Sequence, residues 1–220
     1  MEQNVVLHIE NLSKKYKGRT VLDNVSFELK KGSATALVGS NGSGKTTLMR
    51  ILAGLVVPDS GRVSLFGSQS EKELRNARQK VGFVIETPIY YGYMSVKKNL
   101  QLRAGLYGGV SSEYIDELCQ RLKLTSSDVG DGKTSLLSMG QKARYSIASA
   151  LVGRPELLIL DEPFNGLDDE SVERVYKLFR ELREQDVTLL LSGHVAEQIQ
   201  QVCTDTLFIK DGVLHAGEEA

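Results

Sequence analysis

At 220 residues the chain has room for one large α/β domain or for a core carrying an inserted lobe. Its composition, 41% hydrophobic and 25% charged, suits a globular protein with an ample core, and 27 Lys+Arg against 28 Asp+Glu with no long basic run argues against nucleic acid as a partner. The longest apolar stretches, such as Leu157–Leu160 and Val187–Leu191, fall far below the roughly 18 residues of a membrane span.

The first four residues, Met1-Glu2-Gln3-Asn4, show no signal-peptide pattern. Cys119 and Cys203 have no metal-ligand spacing, so a reduced cytoplasmic setting with two free thiols is expected. Val5–Glu10 and Val21–Leu29 alternate apolar and polar residues about a turn at Lys17-Gly18-Arg19, which predicts an antiparallel β region. The apolar run Ala34–Val38 then leads into Gly39-Ser40-Asn41-Gly42-Ser43-Gly44-Lys45-Thr46-Thr47, and Leu48, Ile51, Leu52 and Leu55 follow at helical spacing. Strand, loop G-x-x-x-x-G-K-[ST] and helix in this order make a phosphate-binding P-loop. Glycines let successive backbone N–H groups converge on one concavity, and the helix start adds the positive end of its dipole. Lys45 offers a mobile cation to the β- and γ-phosphates, and the Thr46 hydroxyl offers Mg²⁺ a ligand.

Pro58-Asp59-Ser60-Gly61 is expected to stop that helix, with a strand over 62–67 and a polar helix over 70–80. Val81–Ile85 is a short apolar run ending at Glu86. From Thr87 to about Ala143 the pattern changes to that of a helical lobe, with helices over 96–106 and 114–122. A long helix starts after Ser138 and runs to Val152. Glu156–Leu160 reads as a buried strand before Asp161-Glu162-Pro163, and Ser171–Gln185 as an amphipathic helix with Val172, Val175, Leu178, Phe179 and Leu182 inward. Val187–Leu191 is another buried strand, ending at Ser192-Gly193-His194. A short helix over 196–203 and an exposed strand pair near 207–209 and 213–215 complete the chain, which has no repeats. Four apolar strands therefore stop directly before the P-loop, Glu86, Asp161-Glu162 and His194. Ligands of open parallel α/β sheets bind outside the carboxyl ends of the strands, so one nucleotide there would meet all four.

In this order the motifs resemble those of the ATP-binding subunit of an ABC transporter, over essentially residues 1–215: the P-loop Gly39–Thr46, the signature-like Leu137-Ser138-Met139-Gly140-Gln141, the strand Leu157–Asp161 with Glu162, the loop Gly166-Leu167-Asp168, and His194. The resemblance implies an α/β fold: a P-loop NTPase (RecA-like) core with a mainly parallel sheet, an N-terminal antiparallel β subdomain and an inserted α-helical lobe. Residues 1–220 would form a single ATPase domain and 87–143 the lobe within it. The family's roles, carried onto matching positions, make Thr46, Asp161 and Glu86 ligands of Mg²⁺, Glu162 the carboxylate that orients or deprotonates the attacking water, and His194 the γ-phosphate switch. Tyr16 would stack on adenine. Gly39, Ser40, Asn41, Gly42, Ser43, Gly44, Lys45, Thr46 and Thr47 would bind the phosphates, Ser138 and Gly140 would face ATP held by another subunit, and Gln141 and Asp168 would be further nucleotide-binding residues.

The implied activity is ATP hydrolysis coupled to transport. Its partners would be membrane-spanning subunits on separate chains and a second ATP-binding subunit, as a homodimer, with the protein peripheral at the inner face of the cell membrane. Tyr90, Tyr91 and Tyr93 are either contacts to the membrane subunit or a packed aromatic cluster. Two positions depart from the family. Glu86 stands where a glutamine is usual, and Met139 where the signature has glycine. Both occur in the branch that exports, or confers immunity to, peptide antibiotics of the bacitracin and lantibiotic type; alternatively, both mark slow hydrolysis. A soluble ABC-type ATPase or an ATP-dependent interaction module uncoupled from transport is the competing reading. A nucleotide kinase would leave Leu137–Gln141 unexplained.

Overall fold

The computed structural model describes residues 4–86, 89–130, 132–193 and 199–216. Two sheets share its core. β1 (Val5–Tyr16) and β2 (Arg19–Lys30) form a hairpin across Lys17 and Gly18, both at positive φ as a two-residue turn requires. β4 (Ser60–Leu65) pairs antiparallel with β1, giving the order β2-β1-β4. The second sheet has the order β5-β6-β7-β3-β8-β9, built from β3 (Ala34–Val38), β5 (Val81–Val84), β6 (Leu157–Leu160), β7 (Thr188–Gly193), β8 (Asp205–Lys210) and β9 (Val213–Ala216). Its first five strands run parallel, and β9 returns antiparallel to β8.

The four strands singled out by sequence are thus immediate neighbours, and they end along one edge. Their short apolar runs follow from burial on both faces. On one face, Ala34, Ala36, Leu158, Leu160, Leu189 and Leu191 pack with α3 (Val96–Gly105), α4 (Ser112–Arg121), α6 (Met139–Leu151) and α7 (Asp169–Glu184). On the other, Leu37, Leu157, Ile159 and Leu190 meet Leu7, Leu12, Leu22 and Leu29 of the antiparallel sheet, together with Leu48 and Met49 of α1 (Lys45–Leu52). The alternation of period two decides which residue goes to which cluster. The remaining helices are α2 (Glu71–Ala77) and the single turn α5 (Ser126–Val129). The residue-143 boundary falls inside α6, an unbroken helix whose later turns lie in the core.

Two expectations are corrected. α1 ends at Leu52, before the 58–61 turn. Gly54, at φ 76°, takes the left-handed C′ position, the Gly54 N–H bonds to Ile51 O and the Leu55 N–H to Arg50 O, and Arg78 Nε donates to Leu52 O at 2.9 Å. Leu55, expected inward, is consequently 70% exposed. The closing strand pair is not a surface appendage either. β8 pairs with β3 from Thr35↔Asp205 to Val38↔Phe208, and Ile209 is buried against the P-loop. Much of the 196–203 helix lies outside the described residues; beyond them, Ile199 and Val202 are buried.

Candidate functional site

Residues 39–44 carry the chain from β3 into α1. At Gly39 a Cβ would lie 2.3 Å from the Ile209 carbonyl oxygen and 2.7 Å from Ser43 Oγ, so the loop is pressed onto β8 too closely for any side chain. Gly44, the N-cap of α1, has φ 113° and would place a Cβ 2.7 Å from the Val21 carbonyl. The first N–H groups of α1 have no carbonyl partner inside the helix and point toward the loop. Ser43 Oγ is buried there without a hydrogen-bond partner among the described residues. An orphaned buried hydroxyl costs free energy unless a ligand completes it, which is how a phosphate cradle looks without phosphate. Lys45, nearly fully buried, donates Nζ to the carbonyls of Gly39 at 2.6 Å and Ser40 at 3.0 Å. Burial pushes the Lys45 pKa below the ordinary lysine value, against the opposing pull of Glu162 and Asp161.

Asp161 follows β6 and ties three strand ends together. Its N–H donates to Val84 O at 2.8 Å, and Thr46 Oγ1 donates to its Oδ2 at 2.8 Å. Its Oδ1 accepts from the Ser192 hydroxyl, whose oxygen in turn accepts the Glu162 N–H at 3.0 Å. Glu162 has φ 50°, and its carboxylate accepts a hydrogen bond from the Asn165 side chain. Because Val84 pairs with Leu160 in register, Glu86 and Glu162 hold equivalent places two residues beyond that pair. Both adopt left-handed backbone, a costly conformation for glutamate that concentrates at working sites. Glu86 makes an ion pair with Arg50 of α1. A cleft of about 750 Å³ is lined by Thr46, Glu86, Asp161 and Glu162 together with Met139 and Lys142 of α6.

Thr46 Oγ1 and Asp161 Oδ2 are hard oxygen donors that already converge. Mg²⁺ binds through one or two protein oxygens and keeps the rest of its octahedron for phosphate and water, so this pair fits it. Among the described residues no three His, Cys, Asp or Glu side chains cluster as a self-sufficient metal cage. Tyr16, 40% exposed with Lys14 Nζ 5.4 Å from its ring centroid, shares a second cleft of about 390 Å³ with Asn41, Gly42, Gly44, Lys45, Thr46, Thr47 and Glu162. An aromatic face therefore stands beside the phosphate loop.

Other sequence-predicted residues are placed elsewhere. Ser138 is the N-cap of α6: its Oγ accepts the Gln141 N–H at 3.2 Å, and Gln141 Oε1 accepts the Ser138 N–H at 2.8 Å. Gly140 lies so close to the 163–168 loop that a Cβ would be 2.9 Å from Gly166 O. Asp168 is the N-cap of α7, and the hydrogen bond it accepts from the Ser171 N–H at 2.8 Å holds its carboxyl below the usual range. These four do not line either P-loop cleft. His194 lies outside the described residues. Tyr90 packs edge-on against buried Tyr145, whereas Tyr91 and Tyr93 are exposed and meet edge to face.

Three participants escaped sequence reasoning: Ser192, Asn165 and Arg50. Ser192 had a readable signal, a serine closing an apolar run, and the structure buries it fully beside the strand that ends at Asp161. Nothing in the spacing marked Arg50, because its partner is 36 residues away.

The sequence model of the family described as ABC transporter matches residues 22–165. The chain is 36% identical to the bacitracin transport ATP-binding protein BcrA of Enterococcus faecalis over 218 residues, covering 99% of this chain and 68% of that one. It is also 36% identical to the lantibiotic transport ATP-binding protein SrtF of Streptococcus pyogenes, covering 94% of this chain and 88% of that one. A dimeric post-hydrolysis ATP-binding cassette bound to ADP and phosphate shares its fold, with TM-score 0.86 at 24% identity, covering 97% of this chain and all of that one.

Proposed function

The chain belongs to the ABC transporter family, and on that footing we propose how its residues bind Mg-ATP, hydrolyse it and drive transport through membrane-spanning subunits on other chains. It is an ATP-binding subunit and ATPase of that family. The observation that carries the assignment of residues is the Thr46 Oγ1–Asp161 Oδ2 contact of 2.8 Å at the mouth of the phosphate loop, with Glu162 next in sequence.

Residues 39–47 hold the triphosphate with backbone N–H groups, and Lys45 exchanges its two carbonyl partners for phosphate oxygens. Thr46 and Asp161 hold Mg²⁺, which neutralises phosphate charge when bound. Glu162 orients the attacking water and takes its proton, with Asn165 fixing the carboxylate and Ser192 fixing both acids through one hydroxyl. His194 contacts the γ-phosphate and Tyr16 the base. Ser138, Gly140, Gln141 and Asp168 belong to the opposite wall of a site completed by a second copy of the chain. Residues 87–143 form the lobe that docks on the membrane subunit at the cytoplasmic face, with Tyr91 and Tyr93 outward. The relatives that transport bacitracin and lantibiotics support a peptide antibiotic as the cargo.

Mg-ATP hydrolysis by the wild type and by Glu162→Gln, each reconstituted with the membrane subunit, tests this. Hydrolysis should fall at least about a hundredfold in the variant while nucleotide binding persists. A wild type without hydrolysis in that complex overturns the assignment.

A further inference from the structure

Glu86 raises a charge problem. Asp161 and Glu162 already place two carboxylates on the cleft wall beside Thr46, and Glu86 adds a third where a triphosphate must sit. At an effective dielectric of about 25 to 50, one surplus charge about 10 Å away weakens anion binding by roughly threefold to tenfold per unit of anion charge. Among the described lysines, Lys142 lines this cleft and Lys45 the neighbouring one at the phosphate loop.

Arg50 answers it. It lies four residues after Thr46 on α1, hence on the same helical face one turn further from the phosphates. Its guanidinium pairs with the Glu86 carboxylate. The Thr46–Asp161 hydrogen bond is formed without Glu86.

We infer that Arg50 is a positioning residue that holds the Glu86 carboxylate off the metal-binding pair Thr46–Asp161 and cancels its charge, making glutamate at this strand end equivalent to a neutral side chain. This rests on reading the loop as a Mg-ATP site. Both side chains are partly exposed, and such pairs contribute little to stability. The consequence of the pair is therefore where the charge sits, and it separates from folding: Arg50→Met should melt close to the wild type while its metal dependence moves.

The test is binding of a fluorescent ATP analogue to the purified full chain, titrated with Mg²⁺, for wild type, Arg50→Met, Arg50→Lys and the double variant Arg50→Met/Glu86→Gln. In Arg50→Met the released carboxylate turns to the metal, so half-saturating Mg²⁺ falls about threefold to tenfold and metal-free binding weakens by a similar factor. Removing that carboxylate as well returns the double variant to within about twofold of wild type, and Arg50→Lys keeps the wild-type midpoint. An unchanged midpoint in Arg50→Met overturns the inference. So does a double variant needing about threefold more Mg²⁺ than wild type, since Glu86 would then be a metal ligand already. A wild type with no Mg²⁺-dependent nucleotide binding overturns the functional reading itself, and this inference with it.

Discussion

The P-loop end and the Ser138–Asp168 end are built from similar polar residues yet are finished differently. At the P-loop end the side chains reach between elements: Thr46 of α1, Asp161 after β6 and Ser192 of β7 form one hydrogen-bonded chain, and the buried Ser43 hydroxyl has no partner among the described residues. At the other end the side chains chiefly serve their own helices, although Gln141 Nε2 also donates to the Asp128 carbonyl at 3.5 Å. Ser138 and Gln141 close the start of α6, and Asp168 closes the start of α7. One region links several elements and leaves a buried hydroxyl without a partner among the described residues, and the other chiefly closes its own helix starts. The difference teaches that a ligand-binding role for Ser138 depends on something approaching from outside the subunit.

Breaking the assembled end should have the largest effect. In Gly39→Ala the new methyl meets the Ile209 carbonyl at 2.3 Å, so β8 or the loop must move. We expect a loss of about 3 kcal/mol or more in chemical denaturation, together with loss of ATP binding. Gly42→Ala is the control within the same loop. Its Cβ meets nothing within 4 Å, so only the strain of φ 80° opposes it, about 1–2 kcal/mol.

Ser192→Ala comes next. It leaves the partly buried Glu162 N–H without its acceptor and Asp161 without one donor. A loss of about 1–3 kcal/mol is expected by denaturation, with hydrolysis reduced by roughly tenfold to a hundredfold. Wild-type hydrolysis in this variant would mean that Thr46 alone orients Asp161. At the locally finished end, Ser138→Ala should cost about 1 kcal/mol through loss of the cap. Monomeric nucleotide binding should be untouched, while any defect in hydrolysis should appear only where the subunits pair. A defect in nucleotide binding by the monomer would erase the contrast between the two ends.

The smallest effect concerns the thiols. Burial pushes Cys119 up to about 11 and Cys203 up to about 12. Raised pKa values mean that the folded chain holds these protons longer than the unfolded one. Their contribution is complete below the unfolded thiol value near 8.5 and declines as pH climbs toward 11 and 12. Thiol alkylation of the native chain at pH 8 should therefore be slow and leave ATP binding at both ends unchanged, whereas denaturant should expose both cysteines to rapid labelling.

Much of this was legible residue by residue. The 3.6 and 2.0 periodicities located the helices and strands, and Gly39–Thr47 marked its own chemistry, because each signal is local and chemically restrictive. Leu55 misled because α1 is stopped by Gly54 and capped by Arg78 from 26 residues away, which helical spacing does not register. The 207–215 pair, expected to be exposed, misled for a similar reason: pairing with β3, far away in sequence, buries Ile209.

By itself the amino-acid sequence determined the fold class, the phosphate loop and the acids at the strand ends, since apolar runs, glycines and carboxylates restrict what their own neighbourhood can become. Only the tertiary structure decided the order β5-β6-β7-β3, the Ser192 bridge between Asp161 and Glu162, and the partner of Glu86. Those depend on which distant strand or helix lies alongside. That is settled by packing both faces of one sheet at once, and no single segment records it.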